Sequence, residues 1–228
     1  MEHKGLRAAN QTDAELFGRI ESTLYTAAVA DALDELGIRN QAMTENLRPV
    51  TVRHCFAGWA RTIACADQHY TPAEPYAKEI AAMDSILPGE VVVVSTGESR
   101  RNAPWGELLS TAAVARGSRG AVIHGLVRDV KKIDEVGFAV FAAGIKPVDS
   151  KGRGIVVEYG TPVECGGVVV CPGDLVFADF DGVVVVPAAV VPDAVRLATE
   201  KVTKENHTRE ELRRGAYLRD VYEKYGVL

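Results

Sequence analysis

The run Val91-Val92-Val93-Val94 restricts this chain more than any other feature. It is entered through Pro88-Gly89 and left through the polar loop Ser95-Thr96-Gly97. Four β-branched residues behind a Pro-Gly turn predict a short buried strand. The device returns at Pro172-Gly173, ahead of "DLVFADFDGVVVVP", where strands are expected over 174–178 and 182–186. Asp-Gly between those two runs favours a tight turn, so Asp179 and Asp181 read as turn residues before metal ligands.

Around these runs the pattern alternates. Residues 13–37 predict a helix interrupted near Ser22-Thr23 and stopped at Gly37, and residues 57–66 predict a strand. "ELLSTAAVARG" (107–117) predicts a small-residue helix ending at Gly117. Strand 120–124, a helix near 130–136 and strand 138–142 follow, then short strands at 154–160 and 167–171. A charged amphipathic helix runs from Pro192 to about Arg214. Strands mixed with helices indicate an α/β domain, and the β-rich second half argues against a simple doubly wound sheet.

A length of 228 residues suits one large domain or two small ones. A net charge of −5 leaves no basic footprint for nucleic acid. No apolar run reaches the ~18 residues that suggest a membrane span, and the first twenty lack a signal peptide's apolar core. The expectation is a cytoplasmic protein without nucleic-acid or membrane partners. Cys55, Cys65, Cys165 and Cys171 form no CxxC pair and read as reduced thiols. Neither GxGxxG nor GxxxxGK[ST] follows a strand, which disfavours nucleotide chemistry.

Two polar loops follow predicted strands: "NAPWGELLS" (102–110) and "HGLVRD" (124–129). Ligands of α/β folds commonly sit beyond the carboxyl ends of strands. If these strands are neighbours, Glu107, Arg128 and Asp129 converge. Arg128 offers a planar fork for a carboxylate, Asp129 a ligand for Mg²⁺ or Mn²⁺, and Glu107 a second acid acting through metal-bound water. The helix start at Gly106, Glu107, Leu108 and Leu109 offers free backbone N–H groups to an anion. Simpler roles stay open: Asp129 as a helix N-cap, Arg128 paired with a surface acid, Glu107 as a first-turn acid. Trp105 fits either a pocket mouth or the core.

The segments "VADALDELG", "FAGWARTI", "LPGEVVVV", "WGELLSTAAVARGSRGAVIHGLVRD", "GFAVFAAGIKPVDSKGRG", "PGDLVFADFDGVVVVP" and "KENHTREELRRG" run in order across nearly the whole chain. Together they resemble the RraA-like family. That family includes class II 4-hydroxy-4-methyl-2-oxoglutarate/4-carboxy-4-hydroxy-2-oxoadipate aldolases of aromatic-acid breakdown and inhibitors of ribonuclease E.

The resemblance implies a single domain over 1–228 with a helical tail at 192–228. The implied fold is α/β, a layered β/β/α arrangement of the phosphohistidine-domain-like swivelling type, with flanking N- and C-terminal helices. It implies a homotrimer or hexamer and a metal-dependent pyruvate lyase with oxaloacetate decarboxylase side activity. Asp129 would be the direct metal ligand and Arg128 would hold the pyruvyl portion. Backbone amides near Leu108 and Leu109 would hold the carboxylate, and a metal-associated water would take the C4 hydroxyl proton. Glu107, and Glu205 from a neighbouring subunit, would reach the metal through water. The alternatives are a non-catalytic ribonuclease E inhibitor-type regulator and an enzyme on another small oxoacid.

Two departures stand out. Lys132 occupies a position where the aldolase signature has an acid. His124, where the family commonly has Asp, reads either as a titratable group near the site or as a structural cap of the strand end. The tail residues Leu218, Val221, Tyr222 and Tyr225 form an apolar stripe that either the chain's own core or a neighbour could cover.

Overall fold

The computed structural model describes residues 12–227. The stretch read for a leader lies largely outside them. Helix α1 (Asp13–Thr23) starts in a reciprocal capping box between Thr12 and Glu15. Helix α2 (Thr26–Glu35) ends before Gly37, whose φ of +75° suits glycine. Asp179 accepts the Thr26 backbone N–H at 2.8 Å, the Thr26 hydroxyl at 2.7 Å and the Asp181 N–H at 2.9 Å. That carboxylate anchors a helix start and a turn, as the turn reading requires.

The strands are β1 (Arg48–Pro49), β2 (Phe56–Asp67), β3 (Glu90–Ser95), β4 (Gly120–Val127), β5 (Val140–Ile145), β6 (Gly154–Tyr159), β7 (Val163–Cys165), β8 (Val168–Val170), β9 (Leu175–Asp179) and β10 (Gly182–Val186). The main sheet has the order β1-β5-β4-β3-β2-β9-β10, with β6 also paired to β2, while β7 and β8 form a separate ribbon. Strands β2 to β5 are mutually parallel; β9, β10 and β6 add antiparallel pairs.

Three layers result. On one sheet face Val91, Val93, Val122 and Phe141 pack against the ribbon's Val163, Cys165, Val168 and Val170. On the other, Ala57, Trp59, Phe177 and Val186 meet α1, α2 and α6 (Val191–Arg213). Val92, Val94, Ala121 and Ile123 share that second face with α3 (Ala77–Asp84), α4 (Glu107–Ala115) and α5 (Val130–Val136). The four valines thus feed two cores by alternation, which is why no polar residue interrupts them. The sheet curls almost into a barrel. Residues 41–43 bond to β10 (Met43 N–H to Val183 O and Val185 N–H to Gln41 O, both 2.9 Å), and a few residues later β1 pairs with β5. One stretch of chain therefore links the sheet's two edges.

The structure corrects one strand end. Strand β4 continues three residues past His124, to Val127, and is buried throughout. His124 is 2% exposed; its Nδ1 accepts the Gly166 N–H at 3.0 Å and its carbonyl accepts the Thr96 hydroxyl at 2.5 Å. A Cβ on Gly125 would lie 2.7 Å from Thr96, so glycine lets the two strands close. His124-Gly125 is a buried irregularity in the β4–β5 pairing, not a strand end.

Candidate active site

The carboxyl ends of the four parallel strands share one edge, and the segments that follow them line one cavity of about 340 Å³. After β2 come Tyr76, at the N-cap of α3, and Glu79 within that helix, and after β3 come Gly106, Glu107, Leu108 and Leu109. After β4 come Arg128 and Asp129, and after β5 come Asp149 and Ser150. A backbone bridge between Trp105 and Val127 ties two of these segments, and Arg128 donates its N–H to Trp105 O at 2.9 Å. Strands β3 and β4 are neighbours, and Glu107, Arg128 and Asp129 line the one cavity.

Asp129 adopts φ 58° and ψ 27°, a left-handed conformation uncommon for a non-glycine residue. It stands at the N-cap of α5, yet its side chain caps nothing. The carboxylate turns instead toward α4, where a Cβ on Gly106 would come within 2.8 Å of Asp129 Oδ2. Gly106 itself provides no side-chain cap, and among the described residues no side chain accepts from the first-turn N–H groups of α4. Glu107 occupies that turn and accepts the Thr111 hydroxyl at 2.8 Å.

Arg128 is held from two sides. Its Nη2 lies 3.1 Å from Asp149 Oδ1 and its Nε 3.7 Å from Asp129 Oδ2. Asp149 also accepts the Tyr76 hydroxyl at 2.7 Å. Burial works against the Asp149 anion, but Tyr76, the Lys151 N–H and Arg128 together hold its carboxyl below the usual range. Glu79 has the opposite fate: burial first, then the Asp149 charge, push it up to about 7 against the pull of Arg128.

The remaining candidates lie elsewhere. Trp105 is core: 2% exposed, donating Nε1–H to Ser110 Oγ at 2.9 Å and stacked on Phe138. Lys132 pairs with Glu135 at 2.7 Å, while Asp134 accepts the Val52 N–H at 2.7 Å. Neither nearby acid takes the signature position that Lys132 fills. Glu205 lies on α6, 3.9 Å from Arg209, and is not among the residues lining the cavity. His124 does not line it either. All four cysteines are free thiols, and burial pushes Cys65 and Cys165 up to about 12.

Among the described residues no three His, Cys, Asp or Glu side chains gather into a metal cage. A closed zinc-type site is therefore not assembled. A hydrated Mg²⁺ or Mn²⁺ needs only one or two protein carboxylates, and the uncapped Asp129 fits that demand.

Sequence reasoning does not reach Tyr76, Glu79 or Asp149. For Asp149 a signal existed: it follows β5 as Asp129 follows β4, so the strand-end rule that found one could have found the other. Helix α3 has eight residues and follows a Pro-rich stretch, so its pattern is too brief to read.

Comparison with known proteins gives the class. The family model described as Aldolase/RraA (RraA-like) matches residues 26–185, and the chain belongs to this family. A provisionally named 4-hydroxy-4-methyl-2-oxoglutarate aldolase of Halalkalibacterium halodurans is 30% identical over 179 residues, covering 78% of this chain and 80% of that one. Protein DlpA of Legionella pneumophila is 28% identical over 204 residues and 88% of this chain. The chain spans only 32% of DlpA's length. Among solved structures, Streptomyces coelicolor RraAS2, described as an unusual member of the RNase ES inhibitor RraA family, superposes with a TM-score of 0.77 at 28% identity. The match covers 88% of this chain and 100% of that one. No helix among the described residues is long and apolar enough to cross a membrane.

Proposed function

We propose that the protein is a divalent-metal-dependent lyase that cleaves a 4-hydroxy-2-oxo acid to pyruvate and a second oxoacid. The observation that carries this reading is the uncapped, left-handed Asp129 facing the α4 N-terminus beside Arg128. Aldolase-named relatives support it. Asp129 would hold Mg²⁺ or Mn²⁺ directly, and Glu107 would reach it through water. When bound, the metal supplies Lewis-acid polarisation of the 2-oxo acid.

The chain's own groups do the rest. Arg128, oriented by Asp149, pairs with the substrate carboxylate, and its Nη1 is left without a partner among the described residues. The first-turn N–H groups of α4, near Leu108 and Leu109, receive anionic oxygen. As the C3–C4 bond breaks, its electron pair moves toward C3 and the 2-oxo oxygen, where these donors stabilise it. Oxaloacetate decarboxylation develops the same charge and is the expected side activity. Lys132 is poorly suited to a Schiff base, because Glu135 stabilises its ammonium and raises its pKa. Borohydride trapping with pyruvate should leave no adduct. We further propose assembly as a homotrimer or hexamer in which Glu205 of the partner subunit completes the water-linked acids.

The second reading, a protein-binding regulator like the ribonuclease E inhibitors, draws on the RraAS2 likeness. Pyruvate release from a panel of 4-hydroxy-2-oxo acids and oxaloacetate, with Mg²⁺, Mn²⁺ or chelator, separates the two. Metal-dependent, chelator-sensitive release is expected. No release from any member of the panel defeats the lyase and leaves the regulator or an enzyme on another small oxoacid.

A further inference from the structure

Glu79, an acid in the first turn of α3, lines the cavity. It lines the same space as Arg128, Asp129 and Asp149, and also a smaller hollow behind it bounded by Cys65, Asp67 and Ser150. Half-buried, its carboxylate has no hydrogen bond or ion pair among the described residues. The other acids of the cavity each meet a neighbouring residue. Asp149 is bound by Tyr76 and Arg128, Glu107 by Thr111, and Asp129 faces Gly106.

The charged and titratable groups around Glu79 come from several elements. Asp149 and Arg128 act on it in opposite directions, and the Tyr76 hydroxyl is spent on Asp149. On β2, the Cys65 thiol is raised first by burial and then by Glu79. Asp67 at the rim lies 3.8 Å from Arg101. On β6, Glu158 lies 3.6 Å from Lys78. Of these groups Arg128 offsets the Glu79 charge, but burial outweighs it. A carboxyl raised to about 7 populates both protonation states near neutrality, which suits a group that must take a proton and return it.

We propose that Glu79 is the catalytic acid–base residue of this pocket, in place of the metal-associated water expected from the sequence. The inference rests on the lyase reading above. As carboxylate, Glu79 takes the proton of the C4 hydroxyl. The O–H electron pair becomes the new C4 carbonyl bond, and the C3–C4 pair passes to the enolate. Glu79, now an acid, returns that proton to C3 and forms the methyl group of pyruvate. No oxidant, reductant or further reactant is required.

Two readouts test it in Mg²⁺- or Mn²⁺-supplemented protein: pyruvate release from the oxoacid panel, and deuterium uptake into the pyruvate methyl group by proton NMR. Both are followed from about pH 5.5 to 9, a range that brackets a catalytic group poised near neutrality. Glu79→Gln should lower kcat and methyl exchange by about 100-fold or more. KM should stay within about threefold, since the loss falls on the chemical step. The limb of the wild-type pH profile near 7 should disappear, and Glu79→Asp should recover part of the rate with a displaced limb. Wild-type exchange and an unchanged limb in Glu79→Gln would overturn the proposal while leaving the lyase intact. Wild-type protein that neither cleaves the panel nor exchanges pyruvate would defeat the lyase reading and Glu79's role with it. Should the glutamine variant not fold, the aspartate variant decides: an unmoved limb overturns the assignment.

Discussion

Asp129 carries the backbone cost of a left-handed conformation. A non-glycine residue held left-handed costs about 1 kcal/mol or more, and Asp129 recovers none of it through a cap. Asp129→Gly should therefore raise stability by about 1 kcal/mol in denaturant titration, while metal-dependent turnover is lost. A glycine variant that still responds to Mg²⁺ would remove Asp129 as ligand. Arg128→Lys should also fail in the pyruvate assay, because an ammonium cannot bridge Asp149 and a substrate carboxylate as a planar fork does. Near-normal kinetics in that variant would mean that Arg128 does not clamp the substrate. Glu79 leaves a mark on stability. It titrates at 4.5 in its ordinary state and at about 7 when folded. Between those values the folded state holds more protons than the unfolded, so this stabilising contribution is full below 4.5 and is lost as pH rises through 7. Glu79→Gln should thus melt above wild type at pH 8 and lose that advantage at pH 4; equal offsets at both would contradict the raised pKa.

At the scale of elements, the start of α4 is where the segments that follow β3 and β4 meet. Gly106 has an extended φ of −155° that alanine adopts freely, yet its Cβ would lie 2.8 Å from Asp129 Oδ2 and 3.1 Å from Arg128 Cγ. Gly106→Ala should cost about 1–3 kcal/mol by overpacking and depress turnover, as thermal melts and pyruvate release would show. Wild-type values in both would mean that Asp129 has room to retreat. Long or well-punctuated elements were legible in the sequence: the break between α1 and α2, the valine strand β3, the small-residue helix α4 and the Asp-Gly hairpin of β9 and β10. His124 misled because a polar residue beside glycine looks like a strand end. It is buried because the Gly166 N–H, from a ribbon far along the chain, supplies its partner. Arg128, Asp129 and Glu107 could be read from local spacing. Asp149, which follows β5 as Asp129 follows β4, was open to the same strand-end rule, whereas Tyr76 and Glu79 join them only through strand order, which local patterns do not encode.

For the molecule as a whole, the tail stripe is divided. Helix α7 (Leu218–Tyr225) folds back on α6, burying Val221 to 1% exposure and stacking Tyr225 on His207. Glu211 of α6 meets both Lys224 Nζ, at 2.6 Å, and the Tyr225 hydroxyl, at 2.7 Å. Leu218 and Tyr222 remain 54% and 50% exposed. Truncation after Arg214 should lower the melting temperature by uncovering α6. On the proposed assembly it should also reduce the mass seen by light scattering and the rate of pyruvate release. A truncated chain of unchanged mass and rate would remove the tail from that assembly. The strand order has a consequence for biosynthesis. Strand β2 finds β3 soon after it emerges from the ribosome, but Phe56 pairs with Ala178, more than a hundred residues later. Until β9 and β10 have been translated, α1 and α2 lack much of the surface they cover, and α2 lacks the Asp179 that anchors its first turn. Such distant pairing slows folding, so α1 and α2, translated well before the strands that cover them, should be among the late parts of the nascent chain to settle.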